Sequence, residues 1–271
     1  MRHFKRTLLP ASIALAAALP LAGNGAAFAA QTSHTYWGKP VAIGEGSART
    51  FVRTGATGKP VAVGVALTAK ALEGLPPASP EAESWPYTLW MPEKGPKTGI
   101  DHMYVNWNPK GHPPPHIYTV PHFDFHFYYV SRSKQAEVSF TGAPGDSGLK
   151  PPPAALLPRD YRFIPATAVP DMGVHAPDMT SPEFHGKPFT ATFIYGYYKG
   201  RLLFVEPMVT RAFLLSKPSM TSAVKRPERY SYPGDYPSLY RVRYDAAART
   251  YIVEIDGLEP WKGIAKLSHA R

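Results

Sequence analysis

Nine consecutive residues, Pro121-His122-Phe123-Asp124-Phe125-His126-Phe127-Tyr128-Tyr129, constrain the fold of this chain more than any other stretch. His122, Asp124, His126 and Tyr128 fall on one parity, and Phe123, Phe125, Phe127 and Tyr129 fall on the other. Successive side chains of a β-strand point to opposite faces, so the stretch reads as a strand with one aromatic face and one polar face. The polar face is too rich in imidazole and carboxylate for an ordinary solvent-facing strand. It marks the candidate functional site, with a metal site as the leading reading. A second alternating stretch precedes it, with His102, Tyr104 and Asn106 on one face and Met103, Val105 and Trp107 on the other. Sequential strands are often neighbours, so pairing of the two would merge their polar faces into one patch.

The rest of the chain reads the same way. With 31 Pro, 22 Gly, 16 Tyr and 13 Phe, it has the profile of many short strands joined by turns. The expected fold is all-β or β-dominated: a single barrel- or sandwich-like domain over residues 30–271 with a few short helices. Residues 61–67 read as a strand, followed by a short helix at 69–73 that stops at Gly74. Residues 131–138 have helix character, with Ser131 or Ser133 as the N-cap. Residues 189–198 and 201–215 form the clearest hairpin, turning at Lys199-Gly200, and 239–244 with 250–255 form another. Long loops are expected at 142–158 and at 165–187, the second carrying His175, Asp178, Glu183 and His185.

The N-terminus has the three parts of a signal peptide over residues 1–29: Arg2, Lys5 and Arg6, then an Ala/Leu-rich run, then Ala27-Phe28-Ala29. Pro10 and Pro20 shorten the apolar run, which argues against a retained integral membrane anchor. The protein is therefore expected to be exported, periplasmic or secreted, and export argues against a nucleic-acid partner. With no cysteine, disulfides, lipoprotein attachment and thiol chemistry are all excluded. The formal charge is +10, and 27 − 20 = +7 without the three leader cations. Those charges are dispersed, which fits a solvated basic surface better than a polyanion-binding block.

Four histidines, His112, His116, His122 and His126, fall within one fifteen-residue window. Neutral imidazole is the commonest metal ligand, and carboxylates complete many such sites. Spacing limits the arrangement, because His122 and His126 are about 13 Å apart along a straight strand and cannot share an ion unless it bends. Asp124 lies about 6.6 Å from either neighbour, so it pairs more easily with one of them. The candidate ligands are His122, Asp124, His126 and His175 for a divalent transition metal such as zinc, with Glu206 and His112 as further candidates to complete the set. His112 and Tyr128 are candidates for contact with a bound ligand. The competing reading is a buried polar network in which His and Asp satisfy one another.

Glu206 lies in the apolar run Leu203-Phe204-Val205-Glu206-Pro207-Met208. A carboxylate there is paired, coordinated or raised in pKa, which suits a general base; the alternative is a strand end reaching solvent beside Pro207. Gly145-Asp146-Ser147-Gly148 matches a short serine-protease motif but lacks the triad partners around it. There is no G-x-S-x-G elbow, H-E-x-x-H, P-loop or dinucleotide fingerprint.

Three segments together resemble a family of exported bacterial proteins that carry a domain of unknown function. They are Trp107-Asn108-Pro109-Lys110-Gly111-His112-Pro113, the strand 122–128, and Gly173-Val174-His175 with Ser181-Pro182-Glu183-Phe184-His185-Gly186. Phe193-Ile194-Tyr195-Gly196 and Glu206-Pro207-Met208 extend the likeness. The resemblance implies an exported protein and no defined activity. A weaker likeness is to the α-carbonic anhydrases, whose Phe-His-Phe-His strand is here Phe123-Asp124-Phe125-His126, with Asp at the first ligand position. Cupins offer a similar analogy, a His-rich strand inside a β-barrel. The leading expectation is an envelope protein that binds a divalent metal, with hydrolase or lyase chemistry in which Glu206 or Asp124 accepts a proton. The alternatives are a non-catalytic module for a small molecule or envelope polymer, and a structural homo-oligomer packed through its aromatic side chains.

Overall fold

The computed structural model describes residues 1, 33–80 and 82–262. The expected leader from residue 2 onward lies outside the described residues. Two antiparallel sheets contain most of the strands. The larger has the order β1 (His34–Trp37), β3 (Gly46–Thr54), β4 (Pro60–Thr68), β14 (Thr250–Asp256), β13 (Leu239–Asp245), β11 (Ser219–Ala223), with β2 (Val41–Ile43) also on β3. The other has six strands in the order β5 (Trp85–Trp90), β6 (His102–Asn108), β7 (His122–Tyr128), β10 (Arg201–Thr210), β9 (Ala191–Tyr198), β8 (Val174–Pro177). A small ribbon pairs β12 (Gly234–Tyr236) with β15 (Glu259–Trp261).

One hydrophobic cluster joins Val63, Val65, Leu67, Val253 and Ile255 of the larger sheet to Val105, Phe123, Phe125, Phe127, Tyr195 and Val205 of the six-stranded one. The core thus lies between two open sheets, and the architecture is a sandwich rather than a closed barrel such as a cupin's. Phe123, Phe125 and Phe127 are wholly buried in this layer, and each contributes roughly 1.5–3 kcal/mol by leaving water. Because alternation is strict, burying them turns His122, Asp124, His126 and Tyr128 to the opposite face of the sheet.

That outer face is itself covered. One apolar cluster there gathers Tyr128, Val130, Val138, Leu203 and Phe204, and another gathers Tyr118, Phe189, Ile194 and Met208. The polar residues of β7 lie along the same face.

Several local expectations are met with adjusted ends. α1 (Arg132–Ala136) is capped by Ser131, whose hydroxyl accepts from the Lys134 N–H, and a single 3-10 turn occupies Ala69–Leu72. The β9–β10 hairpin turns through Lys199 and Gly200 at φ of 51° and 74°, as a type I′ turn requires. Its second strand stops at Thr210 instead of running to 215. The Thr210 hydroxyl accepts from the Phe213 N–H and starts α2 (Arg211–Leu215). The segment expected as loop at 165–187 contains β8, an edge strand. Four residues ending in Pro177 give no usable alternation, so only its pairing with β9 makes it a strand.

Candidate metal centre

Register brings the polar side chains together. β6 pairs with β7 as Asn108↔His122, Asn106↔Asp124, Tyr104↔His126 and His102↔Tyr128, so the two polar faces do merge. On the other side β10 pairs Phe204↔Tyr128, Met208↔Asp124 and Thr210↔His122, and the same register sets Glu206 across from His126. Pro207 follows Glu206 inside the strand, yet Glu206 is 1% exposed, so it does not reach solvent. One strand further out, His175 on β8 pairs with Gly196 on β9. Gly196 has no side chain to block its path. A Cβ there would run into the Phe204 ring, which lies against the glycine.

The result is two compact trios, His112–His122–Asp124 and His126–His175–Glu206, in each of which one donor atom per residue lies within 4.8 Å of the others. In the first, His122 Nε2 is 3.0 Å from Asp124 Oδ1 and His112 Nε2 is 3.5 Å from Asp124 Oδ2. In the second, His126 Nε2 is 3.4 Å from Glu206 Oε1 and His175 Nε2 is 3.8 Å from Glu206 Oε2. His122 and His126 belong to different trios, as the length of an unbent strand demands. His112 and Glu206, expected as a ligand contact and a base, each sit as the third member of a donor set.

Backbone contacts settle the polarity of the imidazoles. His112 Nδ1 faces the Pro113 carbonyl at 2.8 Å and His122 Nδ1 the Val120 carbonyl at 2.7 Å. His126 Nδ1 faces the Tyr104 carbonyl and His175 Nδ1 the Thr167 carbonyl, both at 2.9 Å. A carbonyl only accepts, so each Nδ1 carries the proton and, in the neutral ring, each Nε2 presents a lone pair. Those lone pairs point toward carboxylate oxygens, which also accept. Accordingly His122 Nε2, Asp124 Oδ1, His126 Nε2 and Glu206 Oε2 are buried without a hydrogen bond, although some lie close. His102 shows the contrast. Its Nδ1 meets Asp101 at 2.9 Å and its Nε2 meets the Gln135 side-chain oxygen at 2.7 Å, so both ring nitrogens of this equally buried histidine are satisfied.

The electrostatics keep His126 and His175 in the ligating form. Burial drives the His126 imidazolium down to about 4, against partial support from Asp124. Burial also lowers His175. Burial and the nearby Asp124 charge push the Glu206 carboxyl well above the ordinary range. Burial opposes ionisation of Asp124 too, but His122 and His112 hold its pKa well below the usual value. Burial likewise opposes the charge on His112, which Asp124 outweighs to raise its pKa. Asn108 Nδ2 donates to Asp124 Oδ2 at 2.7 Å and fixes that carboxylate. Asn108 was not among the sequence candidates, although it lies in the Trp107–Pro113 segment of the resemblance; its place at the end of β6, opposite His122, brings it to Asp124.

Other candidates stand apart. The Tyr128 hydroxyl donates to the Asp171 carbonyl at 2.8 Å and its ring stacks on His102 at 4.9 Å, so it joins neither trio. His116 lies outside both trios in an exposed turn. The His185 Nε2 meets the Met179 carbonyl, and Asp178 pairs with Lys225.

Two imidazole nitrogens and one carboxylate oxygen form a donor set of the kind that holds zinc while leaving positions for water or substrate. Side-chain exposure is greatest at His112, 36%, and is 16% at His175, so solvent approaches from these two residues. A family model described as TTHB210-like, hypothetical protein TTHB210, matches residues 55–107. It is an uncharacterised family, as the sequence resemblance implied, and the matched segment ends before the first residue of either trio. No curated protein and no solved structure matches the chain.

Proposed function

We propose that the outer face of the six-stranded sheet binds a divalent transition metal and that His126, His175 and Glu206 hold it. The observation that carries this reading is the buried Glu206 carboxylate facing two imidazole nitrogens that bear lone pairs. These acceptors at 3.4 and 3.8 Å are reconciled either by a proton on Glu206, which can serve one imidazole only, or by a cation that engages both imidazoles and the carboxylate at once. Bound there, the ion would activate water, bringing its pKa to about 7. Asp124 lies two residues from His126 on the same strand face, but His122 and His112 hold its pKa well below the usual value, so it would be a weak proton acceptor. Hydrolysis or a lyase reaction at an exported protein is the chemistry that follows, export being read from the leader. Among the described residues no helix is long and apolar enough to cross a membrane.

Metal analysis of the purified protein tests the reading. Occupancy below about 0.2 equivalents after reloading with zinc or manganese would sink it, given the affinity such sites have. His126→Ala and His175→Ala are each expected to lower occupancy.

A second reading, non-catalytic binding of a small ligand or envelope polymer, draws on a groove of about 460 Å³ on the outer face of the larger sheet. Arg53, Arg243 and Phe51 line it, and Arg49 stacks over Trp37 at 3.9 Å from the ring centre. Arg53 and Arg243 are paired with Glu254, Asp256 and Asp245, so the surface suits a partly apolar ligand that stacks beside Arg49 and Trp37. Loss of binding in Arg49→Ala with unchanged metal content would favour it.

A further inference from the structure

We propose that the centre takes two divalent ions, the second held by His112, His122 and Asp124. The proposal rests on the metal reading above and goes beyond it, because that reading needs only one trio. A single ion cannot engage all six side chains. β7 pairs with β6 in continuous register from His122 to Tyr128, with no bulge to shorten the strand, so His122 and His126 stay about 13 Å apart along it. Each also has its own carboxylate.

Independent observations within the first trio point to a cation there. His122 is wholly buried and Asp124 is 4% exposed. His122 Nε2 and Asp124 Oδ1 lie 3.0 Å apart, yet neither makes a hydrogen bond. An imidazolium–carboxylate pair would instead align an N–H with the oxygen. The Nδ1 proton of His122 is committed to Val120, and Asn108 occupies Asp124 Oδ2, leaving Oδ1 and Nε2 to converge. The outer atoms of such a site are tethered as supporting contacts to a metal ligand normally are. Two nitrogens to one oxygen selects a borderline-soft ion such as Zn²⁺ over Ca²⁺, Mg²⁺ or Mn²⁺, which prefer oxygen ligands. The two trios occupy neighbouring positions on one strand face, Asp124 and His126 being about 6.6 Å apart along it. They differ in access: His112 comes from a loop and is partly exposed, whereas His126 and Glu206 are buried. The second ion should therefore exchange faster than the first.

Native mass spectrometry and calorimetric titration of the purified protein with Zn²⁺ test the proposal. The expected result is two ions per chain. Glu206→Gln is expected to remove one and leave the other. Asp124→Asn and His112→Ala are each expected to weaken the remaining ion by about tenfold or more, as loss of even a supporting group does. The His112 side chain lies at the surface, so its removal keeps the test valid if Asp124→Asn fails to fold. Saturation at one ion lost on Glu206→Gln overturns the second site and leaves the first. A second ion that persists unweakened in His112→Ala and Asp124→Asn is a surface ion, and also overturns it. No bound ion at all overturns the metal reading itself.

Discussion

Replacing Glu206 by Gln should make the metal-free protein more stable at neutral pH while costing it an ion. In the fold this carboxyl is 1% exposed, its Oε2 has no hydrogen-bond donor, and burial with the Asp124 charge raises its pKa well above 4.5. A raised carboxyl pKa means that its contribution to stability is fully present below pH 4.5 and declines as pH rises toward the folded value. In that window the loss is about 1.4 kcal/mol per pH unit. At pH 7 its ceiling is about 3 kcal/mol, and local relaxation brings an expected gain of about 1–3 kcal/mol. Gln is isosteric and adds an amide donor that His126 Nε2 or His175 Nε2 can accept, so nothing is left worse paired. Urea unfolding in excess chelator at pH 4.5 and pH 7 measures the difference between the two proteins. The variant should match wild type at the lower pH and exceed it at the higher. If Glu206→Gln is less stable at pH 7, or the difference does not change with pH, the carboxylate is satisfied by some other partner and the electrostatic argument for a cation fails.

Other expectations concern the surrounding groups. In the Glu206→Gln background and chelator, His126 should dominate acid sensitivity: a buried imidazole depressed from 6.5 to about 4 gives stability that is full above pH 6.5 and lost as pH falls through 4, about 3 kcal/mol in all. A flat stability profile across that window would contradict its buried, neutral state. Asn108→Ala removes the donor that holds Asp124 and should weaken metal binding by about 10–100-fold in calorimetry, with little change in unfolding. Gly196→Ala pushes a methyl group into the Phe204 ring and should cost about 1–3 kcal/mol in chemical denaturation, so an unaltered midpoint would disprove the tight contact. N-terminal sequencing of the protein after expression in a secreting host should begin near Ala30, and retention of residues 1–29 would refute the leader reading.

Much of the fold was legible because its signals are local. β7 could be read from its alternation, and its pairing with β6 from adjacency and a matching pattern. The buried character of Glu206 followed from the apolar residues on both sides of it, although a strand end beside Pro207 was an equal alternative until β9 and β7 were seen to flank β10. β8 was not legible: with four residues and a terminal proline it has no periodicity, and it becomes a strand only by docking beside Gly196. The division of the ligands was also hidden. His112 sits in a proline-rich loop, and only the path of that loop across the sheet brings it to Asp124.

The sequence by itself determined which side chains share a face, since a two-residue period fixes that within any strand. It also determined that His122 and His126 could share an ion only if the strand bent between them, since strand rise fixes their separation. Tertiary structure decided which carboxylate each histidine meets. That choice depends on β10 lying beside β7 and on β8 reaching across β9, pairings between segments distant in the chain. It also decided that the four imidazoles present Nε2 to the carboxylates, because each Nδ1 is held by a backbone carbonyl whose position only the folded chain defines.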